Sequence, residues 1–93
     1  MRKVVYKHPL EIGGAARYGV NPGRVVHVAV QRGVPCMWVE HILDVDGSLI
    51  VDVRITGMAF EATGAGRHVG SFLMDDGAFV GHVYQITPDP VHS

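Results

Sequence analysis

The chain has 93 residues, of which 47 % are hydrophobic and 18 % are charged. This length predicts a single domain, and the hydrophobic share is sufficient for one core. The formal net charge is −1, which disfavours duplex nucleic acid as a partner because there is no basic excess to neutralise its phosphates. The charged share is below the usual quarter, and we therefore expect that another subunit covers part of the surface in a homo-oligomer.

The sequence also limits where the protein is expected to act. Cys36 is the single cysteine, so an intramolecular disulfide is impossible and a reducing compartment is favoured. Charged residues interrupt the N-terminal segment before an apolar signal-peptide core can form. No apolar run approaches the roughly 18 residues needed to cross a membrane. We expect a cytoplasmic protein without a membrane partner.

Taken in chain order, the apolar residues alternate with polar ones instead of recurring at helical spacing, and 12 glycines and 5 prolines separate the runs. This pattern is typical of an all-β domain. The first predicted strand is Lys3–Leu10, which Pro9 restricts to a sheet edge or a strand end. Residues 13–20 leave two alternatives, a loop or a short strand around Arg17–Val20.

The next segment predicts a tight hairpin. Strand Arg24–Gln31 precedes Arg32-Gly33, a pair that permits a two-residue loop. Because a one-residue slip would move every side chain to the other face, the agreement of the apolar positions supports this register. It places six apolar residues on one face in the pairs Val30–Pro35, Val28–Met37 and Val26–Val39, and it places Ala29 opposite Cys36 and His27 opposite Trp38 on the other.

Two further strands and a second hairpin complete the predicted domain. Strand Leu49–Thr56 has an inward apolar set and an outward set of Asp52, Arg54 and Thr56. In the hairpin of residues 67–86, Asp76-Gly77 predicts a type I′ turn. That turn pairs Ser71 with His82, Val69 with Tyr84, Phe72 with Gly81, Leu73 with Val80, Met74 with Phe79 and Gly70 with Val83.

The expected fold is six to seven short antiparallel strands in a small, partly closed barrel or sandwich. We assign residues 1–86 to a single β domain. Residues 87–93 contain two prolines and are predicted to form a flexible C-terminal tail.

A glycine-rich segment suggests a ligand site. Gly64 and Gly66 free the backbone, whose N–H groups could line a nest for an anion. Arg67 and His68 follow, and Arg54 lies on the outward face of another strand; their side chains could add charge-assisted hydrogen bonds. We consider a phosphate or nucleotide contact here beside the alternative of a flexible loop. The lysine and the following helix of a P-loop are missing.

The catalytic and metal-binding motifs considered for this sequence are each incomplete. The six histidines and the one cysteine show no zinc-type spacing. Ser71 opposite His82 leaves a weak possibility of hydrolysis, because no acid is placed to orient the histidine. We therefore expect a non-enzymatic protein with no metal and no cofactor.

Trp38 and His27 are the candidate partner-binding residues. Both lie on the non-core face of their predicted hairpin, and an exposed aromatic side chain is typical of an interface. If the sheet is covered on both faces, Trp38 is instead a core residue. The sequence leaves these two alternatives open.

Several segments carry a family resemblance. The most specific is Val26-His27-Val28-Ala29-Val30-Gln31-Arg32-Gly33-Val34-Pro35-Cys36-Met37-Trp38. The start of the chain, residues 3–10, and the segments 54–57, 68–72 and 77–84 match as well. Over residues 3–86 the chain resembles an uncharacterised family of small proteins found in bacteriophages and bacterial genomes. This resemblance implies a phage or prophage setting in a bacterial host cell, and it implies no activity.

Two functions are therefore expected from the sequence. The first is a phage-type accessory binding protein that sequesters a small phosphorylated or nucleotide ligand from host defence. The second is a protein–protein interaction module that binds or inhibits a host or phage protein through the surface around Trp38.

Overall fold

The computed structural model describes residues 1–59 and 66–90, and it confirms the all-β fold. Seven strands form two antiparallel sheets, and the described residues contain no α-helix. Within the described part of the chain the sheets do not close into a barrel, so the fold is a sandwich. The elements are β1 (Lys3–Pro9), β2 (Gly14–Arg17), β3 (Gly23–Gln31), β4 (Val34–Ile42), β5 (Ile50–Ile55), β6 (Arg67–Met74), a 3₁₀ turn (Asp75–Gly77) and β7 (Phe79–Gln85).

The order of the strands is not the order of the chain. The first sheet has the order β1-β4-β3, and the second has the order β2-β5-β7-β6. β1 is an edge strand that ends at Pro9, as the proline predicts. No helix in the described ranges is long and apolar enough to span a bilayer.

The core lies between the two sheets. Met37 and Val39 of β4 face Val51 and Val53 of β5 and Val83 of β7 across it, and all five side chains are fully buried. Each strand contributes alternate residues to this layer, since successive side chains point to opposite faces. The period-2 pattern of the sequence therefore identified the correct inward residues on β4 and β5.

The first hairpin confirms most of the predicted register. Val30 pairs with Pro35, Ala29 with Cys36, Val28 with Met37 and His27 with Trp38. The predicted pair Val26–Val39 is wrong, because a bulge at Val26 shifts the register and Val25 takes the place opposite Val39. Val25 is consequently buried and Val26 is 45 % exposed.

The second hairpin also confirms most of its predicted register and corrects one predicted pair. Asp76 (φ 55°) and Gly77 (φ 86°) both adopt the positive φ that a type I′ turn requires. The pairs around Ser71–His82 and Phe72–Gly81 are confirmed. The predicted pair Val69–Tyr84 is wrong: a bulge between His68 and Gly70 places His68 opposite Tyr84 instead.

Gly70 occupies a point where the two sheets approach closely. A Cβ atom there would lie 2.8 Å from a methyl carbon of Val28 in β3, which is closer than carbon atoms approach without displacement. Glycine within a strand commonly accompanies a bulge. The missing side chain thus allows β6 to bend over the edge of the first sheet.

The segment after β7 is held by hydrogen bonds as far as it is described. The Thr87 hydroxyl accepts a hydrogen bond from the Ile50 N–H at 3.2 Å, and Asp89 accepts one from the Gln85 amide at 3.1 Å. The last three residues lie outside the described part of the chain. The flexible tail over residues 87–93 stays a prediction.

Candidate functional site

The outer face of the four-stranded sheet carries polar side chains on three neighbouring strands. Asp52 and Arg54 of β5 alternate with the buried residues Val51 and Val53, and they therefore face away from the core. In the register of the sheet, Arg54 pairs with His82 of β7, which in turn pairs with Ser71 of β6. We call this surface the polar face; its residues are Asp52, Arg54, Thr56, His68, Ser71, His82 and Tyr84.

A continuous chain of hydrogen bonds crosses the polar face. The Ser71 hydroxyl oxygen lies 3.0 Å from His68 Nε2 and 3.3 Å from His82 Nδ1. The other nitrogen of His82, Nε2, lies 2.7 Å from the Thr56 hydroxyl oxygen. Each hydroxyl can rotate to donate or accept, and each imidazole can exchange its donor and acceptor nitrogens. The chain can therefore rearrange its protons without moving its heavy atoms.

A second row of the polar face contains aromatic rings. Asp52 pairs with Tyr84, and Tyr84 pairs with His68. The rings of Tyr84 and His68 lie edge to face with their centres 5.4 Å apart, and the His68 and His82 rings are 6.2 Å apart. Aromatic and imidazole rings thus lie directly beside the hydrogen-bonding groups.

Asp52 holds the guanidinium of Arg54 in a fixed place. Arg54 donates from Nε and Nη2 to the same carboxylate oxygen, Oδ2, at 3.0 and 2.8 Å. The Asp52 residue is only 9 % exposed, and its other oxygen, Oδ1, is buried without a hydrogen-bond donor from any described residue. A buried carboxylate oxygen in this state costs free energy, and the arginine is the cation that compensates the charge.

The bulge in β6 decides which residues reach the polar face. In a regular strand His68 would share a face with Gly70 and Phe72, which point into the core. Because the bulge inserts one extra residue, His68 moves to the outer face beside Ser71. The sequence contains one signal of this shift, the glycine at position 70 within the strand.

The ligand residues predicted from the sequence separate in the structure. Arg54 and His68 both belong to the polar face. Arg67 lies opposite Gln85, whose side chain faces the core, and the Arg67 guanidinium donates to Asp89 at 2.7 Å. Gly66 precedes β6 and packs beside Ile86, while Gly64 lies outside the described residues. Of the four predicted residues that the structure describes, it therefore places two, Arg54 and His68, on one face.

The predicted partner-binding residues lie on the outer face of the three-stranded sheet. His27 and Trp38 pair across β3 and β4, and their rings are 5.2 Å apart. His27 is exposed and Trp38 is half-buried. Val5 on β1 shares this face and is 53 % exposed. Trp38 thus belongs to an outer surface of the sandwich and not to the core between the sheets.

The polar face is a hydrogen-bonding surface with a weak resemblance to a catalytic centre. Ser71 and His82 are in contact, but within the described ranges no carboxylate hydrogen-bonds to His82. A serine nucleophile needs a base that a third group orients. The described residues also contain no group of three histidines, cysteines or carboxylates that could hold a metal ion. The weak possibility of hydrolysis by Ser71 and His82 stays a prediction.

A second histidine pair was not indicated by any sequence pattern. His8 and His41 are far apart in the chain, yet their Nε2 atoms lie 2.9 Å apart. Their proximity depends on the pairing of β1 with β4, and neither residue stands in a recognisable motif. Only the strand order could have revealed it.

Comparison with known proteins places the chain in a family. Searches of curated proteins and of solved structures found no match. A family described as "Domain of unknown function (DUF7352)" matches residues 1–92, which is nearly the whole chain and agrees with the resemblance to an uncharacterised family. The chain therefore belongs to the DUF7352 family.

Proposed function

We propose that this chain is a non-enzymatic binding protein that holds a small phosphorylated ligand, such as a nucleotide, on the polar face. The hydrogen-bonded chain from His68 through Ser71 to His82, whose cross-strand neighbour is Arg54, supports this most. Guanidinium, imidazolium and hydroxyl groups are the side-chain donors that phosphate oxygens accept from most readily. All three kinds of donor occur within two rows of one sheet.

The side chain of Arg54 is positioned before a ligand binds. Two hydrogen bonds to Asp52 fix the guanidinium, so less side-chain entropy is lost when a ligand arrives. Strands of a packed sheet hold such groups more rigidly than a loop does. A phosphate beside Arg54 would also lie next to His82, its cross-strand neighbour.

The hydroxyl groups of Ser71 and Thr56 are further hydrogen-bond donors. Each can rotate to donate to a ligand oxygen while it accepts from a neighbouring imidazole nitrogen. Because a phosphate is charged, we expect binding to weaken as the salt concentration rises.

The base of a nucleotide ligand would lie against an aromatic ring of the polar face. Tyr84 is half-buried and lies beside His68, and flat rings of this kind stack with nucleobases for roughly 1–3 kcal/mol per base. This favours a nucleotide over inorganic phosphate.

The biological setting belongs to the same proposal. We infer a phage or prophage origin from the resemblance described above. A small protein of this kind would sequester a phosphorylated signal from host defence in the cytoplasm of a bacterial cell, and it would need no catalytic group to do so.

Calorimetric titration with adenosine 5′-monophosphate (AMP) tests this function. We expect AMP to bind, and Arg54→Gln and His82→Gln each to weaken the affinity at least tenfold, because one charge-assisted hydrogen bond contributes roughly 1.5–3 kcal/mol. Arg24→Gln and His27→Gln are matched controls on the other sheet and should bind as the wild type does. Equal losses in the controls, or no binding of AMP, would contradict the proposal.

A second candidate function is supported by the outer face of the three-stranded sheet. A recess of about 490 Å³ opens there, lined by Lys7, Pro9, Gln31, Arg32, Val34 and Cys36. Lys7 is the cross-strand neighbour of Trp38, and a half-buried tryptophan beside a recess is a suitable anchor for a protein partner. Since Trp38 is the single tryptophan, its fluorescence reports directly on this surface. A host-lysate partner that Trp38→Ala loses and Arg54→Gln retains would favour this function.

A further inference from the structure

One contact between β1 and β4 joins two histidines. His8 of β1 and His41 of β4 approach each other through their Nε2 atoms at 2.9 Å, with the rings 75° apart. His41 is 2 % exposed, and His8 is half-buried. Two imidazole nitrogens at this separation can share one proton in a hydrogen bond, or they can ligate one ion together.

The proton positions of the pair follow from a second contact. His41 Nδ1 lies 3.1 Å from the Asn21 carbonyl oxygen. A carbonyl oxygen only accepts, so Nδ1 carries the hydrogen, and in neutral His41 the Nε2 atom has a free lone pair. An Nδ1–H bonded to a backbone carbonyl is the arrangement that orients histidines as metal ligands through Nε2.

We propose that His8 and His41 form a binding site for a borderline transition-metal ion, Zn²⁺ or Cu²⁺, with both Nε2 atoms as ligands. When the ion binds, the proton between the rings moves from His8 Nε2 to its Nδ1, so that both Nε2 lone pairs are available. No net proton is released from the neutral pair.

The distances and the surroundings suit an ion of this class. Two nitrogens at 2.0–2.1 Å from a tetrahedral ion are separated by about 3.3 Å, so the pair has to open by a few tenths of an ångström, and the rings have to tilt so that both lone pairs point to the ion. A pocket of about 130 Å³ adjoins the pair, which leaves room for water at the remaining coordination positions. The pocket is lined by Tyr6, His8, Gly19, Val20, Asn21 and His41.

The ligand atoms of the site, two imidazole nitrogens, determine which ions it can hold. Imidazole nitrogens select Zn²⁺ and Cu²⁺ over Mg²⁺ and Ca²⁺, which prefer oxygen ligands. The site should therefore bind neither Mg²⁺ nor Ca²⁺.

Titration of the chelator-treated protein with ZnCl₂ and CuCl₂ tests the site. We expect one ion per chain, a rise in thermal stability with the metal concentration, and no effect of MgCl₂ or CaCl₂. His8→Gln should weaken binding at least tenfold, whereas His27→Gln, which removes an exposed histidine elsewhere, should leave it unchanged. In NMR spectra of the histidine side chains, the signals of His8 and His41 Nε2 should shift on addition of Zn²⁺.

His8→Gln is the decisive substitution, because His41 is buried and its variants could misfold. Unchanged metal affinity in a folded His8→Gln protein overturns the proposal, as does saturation that shifts only His68 and His82. The result is independent of AMP binding, since the polar face lies on the other sheet.

Discussion

The side chain of Gln85 in β7 supplies a hydrogen-bond partner to Val25 in β3. Its Oε1 atom accepts from the Val25 N–H at 3.0 Å, and its Nε2 donates to the Gly23 carbonyl oxygen at 3.2 Å. β3 is an edge strand of its sheet, so these backbone groups have no neighbouring strand on that side. Gln85 is 1 % exposed. The two sheets are thus joined by buried polar contacts as well as by apolar packing.

Replacing this glutamine should destabilise the fold. Gln85→Leu leaves the Val25 N–H and the Gly23 carbonyl oxygen buried without partners, and each such group costs about 1–3 kcal/mol. We expect the free energy of unfolding, measured with urea, to fall by about 3 kcal/mol. Gln31 is an exposed glutamine whose Oε1 accepts from Lys7 Nζ, and Gln31→Leu should change the free energy by less than about 0.5 kcal/mol. Equal effects of the two variants would argue against the inter-sheet role.

The pairing of Phe72 with Gly81 predicts a second stability effect. The Phe72 ring covers Gly81, and a Cβ atom there would overlap the ring. Gly81→Ala should therefore reduce the free energy of unfolding by about 1–3 kcal/mol through overpacking. Adding Phe72→Leu removes the clashing ring, so the double variant should be more stable than the sum of the two single losses indicates. Strict additivity would show that the ring does not rest on Gly81.

The His8–His41 pair should make stability depend on pH in metal-free buffer. The pKa of His8 is lowered in the folded state by burial and next by His41, so the unfolded chain binds its proton more readily. This contribution to stability is therefore complete above the unfolded value of about 6.5 and is lost as the pH falls through the lower folded value. Urea unfolding in EDTA should show a weaker acid dependence for His8→Gln than for the wild type. The same slope in both proteins would contradict the assignment.

Removing the charge of Asp52 should strengthen nucleotide binding. Asn at this position keeps a carbonyl oxygen for Arg54 and removes a negative charge close to the proposed phosphate. With an effective dielectric constant near 20 and a separation of about 8 Å, this change contributes roughly 2 kcal/mol, about a thirtyfold gain in AMP affinity. Adenosine lacks the phosphate, so calorimetry with it should show no such gain. A loss of AMP affinity in Asp52→Asn would argue that the ligand is not bound through its negative charge.

Local signals were enough to predict both hairpins. The turn residues Arg32-Gly33 and Asp76-Gly77 predicted the positions of the two loops. The alternation of apolar and polar residues in the flanking strands then allowed one register for each hairpin. Neither bulge was predicted, because a period-2 pattern contains no information on an inserted residue; the one local signal was Gly70 within β6. Val26 and Val69 were therefore paired wrongly.

The candidate site depended on contacts that are distant in the chain. Ser71 opposite His82 followed from one hairpin, but Arg54 joins them only through the pairing of β5 with β7. His68 reaches the same face only because of the bulge in β6. Arg67, which follows the same glycine-rich segment, lies instead with Asp89. Sequence proximity grouped Arg67 with His68, whereas the backbone turned them to opposite faces.

NMR mapping of AMP binding on ¹⁵N-labelled protein tests the proposed function most directly. We expect AMP to shift the amide signals of Arg54, Ser71, His82 and Tyr84, and adenosine to produce much smaller shifts. Shifts confined to β3 and β4 around Trp38, or no shifts at millimolar AMP, would contradict a ligand site on the polar face.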